Sequence, residues 1–259
     1  MRLVSYLSPG FPRSMFELLG EILGAEVAFE EAQSGPPPGD DPLADGRAQL
    51  GWVCSTSYVG LALSSAQPTV QLGGVAWVPD DPDAHGRPAY FGDVVVRDDC
   101  DIATFADLAG TRIGCNDPVS LSGNYALRFA LADRGLDPES FARLEFTGGH
   151  HASLDQVISG ELDAAVVDSV VRITRARSDG DVAALRVVER LGPWPVQPLV
   201  VHAGASSAEV DALAARLLEA NDDPRVGAEL AAAGLTSLVQ IDPEHYEPVR
   251  AAMARLPGT

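Results

Sequence analysis

The chain contains no lysine; all 18 of its basic residues are arginine. That absence excludes Schiff-base chemistry and a P-loop lysine. Cysteine is scarce. Cys54, Cys100 and Cys115 are odd in number, widely spaced and without a C-x-x-C pair, which argues against a disulfide framework or a structural zinc site. Reduced thiols suit a cytoplasmic setting. No apolar run approaches the roughly 20 residues of a membrane helix, so no membrane insertion is expected. The opening MRLVSYLSPG has one arginine and a very short apolar segment, unlike a secretory signal peptide. As written the chain reads as cytoplasmic; it is exported or cell-surface if the sequence is a mature form. Catalytic signatures are missing too: there is no G-x-S-x-G, no H-E-x-x-H and no acidic pair at suggestive spacing. No metal site, cofactor or catalytic residue is expected.

Acid dominates what is there. With 37 Asp and Glu the net charge is −19, so nucleic acid and anionic membranes are poor partners. A small anionic ligand is still permitted. Screening ends long-range repulsion within about 10 Å at moderate salt, and local dipoles govern a buried site.

The 259 residues, 46% of them hydrophobic, suffice for one large domain or two modest lobes. Apolar strands alternate with helical patterns. Strands are expected over 2–6, 26–31, 49–54, 70–78 and 90–97, then 111–115, 143–146, 163–167, 185–189, 196–202 and 236–241. A turn at SPGF precedes the first helix, and 34–46 reads as a polar Pro/Gly loop without periodicity. The tail is helical, over 207–220, 224–233 and 243–255, and no internal repeat is present. This alternation implies an α/β fold with mostly parallel sheets flanked by helices. Two strand pairs, 70–78 with 90–97 and 185–189 with 196–202, break the rhythm across proline-containing segments. They predict a discontinuous first lobe (1–88 and 197–259), an inserted second lobe (89–196), and a cleft between them that holds the ligand.

Three strand-to-helix turns fall where such a cleft would lie. Ser55-Thr56-Ser57-Tyr58 follow QLGWVC; Ser120, Ser122, Gly123 and Asn124 follow TRIGC; Gly148-Gly149-His150-His151 follow RLEF. Free N–H groups and the positive end of the dipole make a helix N-terminus an anion site, and small hydroxyl residues let the anion approach. The bland alternatives are a serine N-cap at Ser120 and a strand tyrosine at Tyr90. Asp163 reads as a structural turn or cap carboxylate, and Cys54 and Cys115 as small buried residues.

The run YFGDVVVRDDCDIATFADLAGTRIGCNDPVSLSGNYALRFAL, with TGGHHASLDQVISGELDAAVVDS and AQLGWVCSTSYV, resembles the phosphate/phosphite/phosphonate substrate-binding proteins of ABC transporters. These have the type 2 periplasmic binding fold. The resemblance is best over 90–171 and thinnest over 32–46. It implies a non-catalytic solute-binding protein, monomeric, that captures a small oxyanion, with an ABC transporter permease as a further expected partner. Ser120 and Ser122, with the N–H groups of Gly123 and Asn124, would cradle the oxyanion. Tyr90 would hydrogen-bond it, and His150 rather than His151 matches the family histidine. Ser55, Thr56, Ser57 and Tyr58 would close the site from the first lobe, and Asp168 would lie where the ligand's substituent emerges. Leu121 stands where the family usually has threonine, and Gln197 where it often has aspartate. These departures bear on the ligand and its protonation state. The alternatives are a cytoplasmic enzyme of cofactor biosynthesis on the same fold, with His150 and Asp168 as acid–base residues, or a cytoplasmic ligand sensor.

Overall fold

The structure, a computed structural model, describes residues 1–8 and 10–256. Pro9, in the turn expected after the first strand, lies outside the described residues. Twelve strands occur among the described residues: β1 (Arg2–Ser5), β2 (Glu26–Phe29), β3 (Leu50–Trp52), β4 (Val70–Leu72), β5 (Val75–Pro79), β6 (Ala89–Arg97), β7 (Arg112–Cys115), β8 (Arg143–Phe146), β9 (Ala164–Asp168), β10 (Leu185–Pro195), β11 (Leu199–His202) and β12 (Leu235–Gln240). One five-stranded sheet runs β2-β1-β3-β11-β4 and a second runs β10-β6-β9-β7-β8, while β12 pairs with β5. The expected single strand over 70–78 is divided into β4 and β5 at Gly73 and Gly74.

The architecture is the expected α/β one, but the sheets are mixed rather than mostly parallel. In the first sheet β1 pairs parallel with β2 and β3, whereas β11 is antiparallel to β3 and β4. In the second, β7 pairs parallel with β8 and β9, whereas β6 is antiparallel to β9 and β10. The reason is the path of the chain between sheets. Strands β1, β3, β7 and β9 end at the junction and lead into turns there. Strands β6 and β11 enter their sheets from the junction, and so run against those neighbours.

Side-chain alternation explains why both faces of the second sheet are covered. Along β6, Val94 and Val96 join a cluster with Ile113, Leu127 and Leu131, while Val95 joins Leu154, Val157 and Val167 on the other face. In the first sheet Trp52 stacks on Trp77 with centroids 4.7 Å apart, and Phe16 packs on both. Phe16 belongs to the helix Arg13–Leu23, which buries Met15, Phe16, Leu19 and Leu23 along one stripe and ends at left-handed Gly24 (φ 69°). Close approach of that helix to β2 needs Gly20, because a Cβ there would lie 2.3 Å from Val27 Cγ2.

Both passages between the sheets are pinned from the C-terminal segment. The Tyr246 hydroxyl donates to Val196 O (3.0 Å), and His245 Nε2 lies 3.0 Å from Pro88 O. On the first passage, Asp81 is held by both terminal nitrogens of Arg190, whose Nε donates to buried Asp93 (2.8 Å). Arg172 takes the other Asp93 oxygen at 2.7 Å.

Candidate functional site

The ends of β1, β3, β7 and β9 meet around a cavity of about 30 Å³. No arginine lines it among the described residues, while Glu31, Asp117 and Asp168 do. Glu31 is turned to Arg13 and Ser8. The polar character of the wall therefore comes from neutral donors and two buried carboxyl groups. Among the described residues no group of His, Cys, Asp and Glu is arranged to hold a metal ion.

His150 opens the helix His150–Ser159 and is buried against the cavity. Burial depresses its pKa to about 3, so the ring is neutral. Its Nδ1 accepts the Asp168 backbone N–H at 3.2 Å, which assigns the ring hydrogen to Nε2. The edge bearing Nε2 faces Gly10 and Gly123. A Cβ built on Gly123 would lie 2.9 Å from His150 Cε1, and one on Gly10 3.8 Å from Cδ2. His150 thus presents a neutral N–H donor.

Asp168 ends β9 and caps the helix Ser169–Ser178. One oxygen accepts from Val170 N (2.8 Å) and Val171 N (3.4 Å), and the other accepts from Gln197 Nε2 (2.9 Å). Complete burial outweighs these donors and, with nearby Asp93, lifts its pKa to about 7. The Gln197 amide oxygen is left buried with no partner, as is the Tyr6 hydroxyl at the end of β1. Both residues line the cavity.

The third side is the turn after β7. Ser120 Oγ accepts the Gly123 N–H at 3.1 Å, so the capping role is real and its own hydrogen remains available. Ser122 is buried on the cavity wall. One wide turn over Leu121–Tyr125 then tightens into the helix Ala126–Asp133.

The cavity thus gathers Ser120, Ser122, Gly148, His150, Asp168 and Gln197 of the residues singled out from the sequence. The others stand elsewhere. Ser55 Oγ donates to Pro195 O (2.9 Å) and Val196 O (3.0 Å), fixing the second passage. Thr56 Oγ1 donates to Val119 O, Ser57 Oγ lies 3.5 Å from Ser34 O, and Tyr58 packs edge-on against Tyr246. The Gly123 N–H is spent on Ser120, and the Asn124 side chain bridges Pro118 O and Arg128 Nε. Tyr90 lies behind the wall, its buried hydroxyl unpartnered with Ser122, Cys54 and Asp168 around it. Asp163 holds Arg112 through backbone and side chain, a structural carboxylate as expected.

The sequence pattern that describes the phosphonate periplasmic substrate-binding proteins of ABC transporters matches residues 15–246. The chain belongs to this family. As a member of the phosphonate-binding family it is a non-catalytic substrate-binding protein, and the enzyme alternative has no support. None of the curated proteins matches the chain in sequence. Similar solved structures include a binding-protein component of an ABC phosphonate transporter from Pseudomonas aeruginosa, with TM-score 0.78 and 15% identity, covering 99% of this chain and 89% of that one. PhnD1 from Prochlorococcus marinus in complex with methylphosphonate gives 0.75 and 14%, covering 99% and 98%. The periplasmic aliphatic sulphonate binding protein SsuA from Escherichia coli gives 0.62 and 15%, covering 98% and 86%. At these identities the likeness is one of fold, the two-lobed periplasmic binding fold. No helix among the described residues is long and apolar enough to cross a membrane.

In this phosphonate-binding-family chain several cavity residues escaped the sequence reading. Tyr6 directly follows β1, but it fell inside the strand expected over 2–6 and is not a small polar turn residue. Cys54 is buried as expected, yet it lines the cavity, and its sulfur accepts the Leu121 N–H at 3.1 Å. Asn116 and Asp117 carry the Asn-Asp-Pro signature of a tight turn directly after a strand. Ser34 had no signal, lying in the aperiodic Pro/Gly loop.

Proposed function

We propose that the chain captures a small phosphonate-class oxyanion in its singly protonated form, in a cleft between two closing lobes. The observation that carries this is the polar inventory of the cavity. Donors at Ser120, Ser122 and His150 Nε2 share the cavity with an unpartnered acceptor, Gln197 Oε1, seated beside Asp168. A ligand completing this set accepts several hydrogen bonds and donates one. A singly protonated phosphonate, phosphite or phosphate does so; sulfate and sulfonates carry no proton at neutral pH. Without a cation on the wall, a second negative charge would be uncompensated.

On this reading the lobes are 1–88 with 197–259, and 89–196. The division of strands supports it: β6 to β10 form one sheet and the remaining strands lie outside it. Closure would bend the two passages around 79–89 and 195–199. The family works with ABC transporters; a permease as the receiving partner, export, and a monomeric protein are parts of the same proposal.

The test is a thermal-shift panel confirmed by calorimetry, with phosphate, phosphite, methylphosphonate, 2-aminoethylphosphonate, sulfate and carboxylates. Binding of a phosphorus oxyanion that weakens as pH rises and is reduced by Ser122→Ala is expected. No response to any oxyanion, or sulfate binding as well as methylphosphonate, refutes the reading.

A further inference from the structure

One buried carboxylate, Asp117, serves the two lobes at once. Its Oδ1 accepts the backbone N–H groups of Val119 and Ser120, both at 2.8 Å, and so shapes the turn that carries Ser120 and Ser122. Its Oδ2 faces the other way. It accepts from Ser34 N (3.1 Å), from Ser34 Oγ and from Asn116 Nδ2 (2.8 Å), and Asn116 Nδ2 also reaches Ser34 Oγ at 3.2 Å. Asp117, Asn116 and Ser34 are all buried.

Ser34 belongs to the strap between β2 and β3, and its carbonyl accepts the Cys54 N–H at 2.8 Å. That bond fastens the strap to the turn after β3. The adjoining backbone lies flat on Ser57: a Cβ on Gly35 would fall 2.0 Å from Ser57 Oγ. Gln33 Nε2 braces the strap by donating to Gly35 O (3.2 Å) and Pro36 O (3.1 Å). The strap is therefore a firm part of the first sheet's side, and Ser34 is its contact with the turn that follows β7.

We propose that Asp117 is a positioning residue that couples docking of the Ser34 strap to ordering of the Ser120–Ser122 turn. A carboxylate bonded on both oxygens is held in one orientation, so gaining Ser34 on one side restrains the oxygen that holds Val119 and Ser120 on the other. Lobe closure and assembly of the hydroxyl cradle become one event. This rests on the reading of the cavity as the ligand site, and goes beyond it by assigning roles to two residues that line the wall without completing the donor set.

Two measurements test the coupling in the full chain. Without ligand, amide hydrogen exchange at Val119 and Ser120 is compared in wild type and Ser34→Ala. Several-fold faster exchange at these amides, across the lobes from the substitution, is expected; unchanged exchange overturns the proposal. With methylphosphonate as probe, Ser34→Ala should raise the dissociation rate roughly tenfold, the scale of a lost hydrogen bond to a charged group. The association rate should stay within about twofold, because the latch forms after encounter. A slowed association with unchanged dissociation overturns it.

Asp117→Asn separates the halves. Its amide oxygen can still accept from Val119 and Ser120, while its NH₂ meets the Ser34 N–H donor against donor. Combined with Ser34→Ala, which leaves only the Ser34 N–H for it to disturb, it should raise the dissociation rate by less than it does alone, and fully additive increases overturn the coupling. If the wild type binds no probe in the panel, the functional reading fails alone, and the exchange rates still decide the coupling.

Discussion

Asp168→Asn isolates the most perturbed carboxyl group of the cavity. In the folded protein burial raises the Asp168 pKa from 3.8 to about 7. Between those values the folded chain keeps a proton that the unfolded chain releases. The stability Asp168 confers is therefore full below about pH 4, and falls as pH rises toward 7. The slope is about 1.4 kcal/mol per pH unit, and a shift of about three units gives a total near 4 kcal/mol. Asparagine keeps a cap oxygen for Val170 and Val171, and Gln197 can turn its amide to accept from the new NH₂. The variant removes the ionisation and little else. In urea unfolding at fixed ionic strength, wild type and variant should agree within about 1 kcal/mol near pH 4. By pH 8 the variant should be more stable by roughly 2–4 kcal/mol, the lower end allowing for weaker neutral caps. Parallel stability curves from pH 4 to 8.5 would refute the reasoning, as would a carboxyl NMR titration placing Asp168 near its ordinary value.

The remaining predictions concern the wall and its supports. Tyr90→Phe removes a buried hydroxyl with no protein partner, so the ligand-free protein should gain about 1 kcal/mol or more by thermal unfolding; a loss would show that the hydroxyl is satisfied. His150→Ala should weaken methylphosphonate binding roughly 10- to 100-fold by calorimetry. Because burial holds the wild-type ring near pKa 3, the His150 ring should show no NMR titration between pH 5 and 8, and an imidazole titration near pH 6.5 would contradict the neutral donor. Gly123→Ala places a Cβ 2.5 Å from Asn116 Cβ and 2.9 Å from His150 Cε1; despite the better helix former, unfolding should show a loss of about 1–3 kcal/mol together with weaker binding. Asp163→Asn should lower stability by about 1 kcal/mol and leave affinity unchanged, since Asp163 contacts Arg112 and not the cavity.

How much of the site was legible depended on the range of the interaction. Ser120 and Ser122 announced themselves because a strand, a small-residue turn and a helix are local patterns. His150 could be separated from His151 through resemblance and then by burial. Ser55 showed the same local pattern, yet its hydroxyl is drawn 140 positions along the chain to Pro195. Whether a turn hydroxyl faces a ligand or a distant carbonyl is settled by what packs over it. Ser34 lay in a loop whose conformation is set by Cys54 and Asp117, so no local rule could have selected it.

By itself the sequence determined the α/β class, the two breaks in the strand rhythm, the absence of lysine chemistry and the family. These follow from short-range periodicity, composition and motif. Tertiary structure alone decided that the sheets are mixed, because strand direction depends on which end of each sheet the chain enters. It also decided that Gln197 and Asp168, 29 positions apart, share a hydrogen bond in a cavity without a cation. Burial of that carboxyl group is a property of everything packed around it, and no single stretch of the chain encodes it.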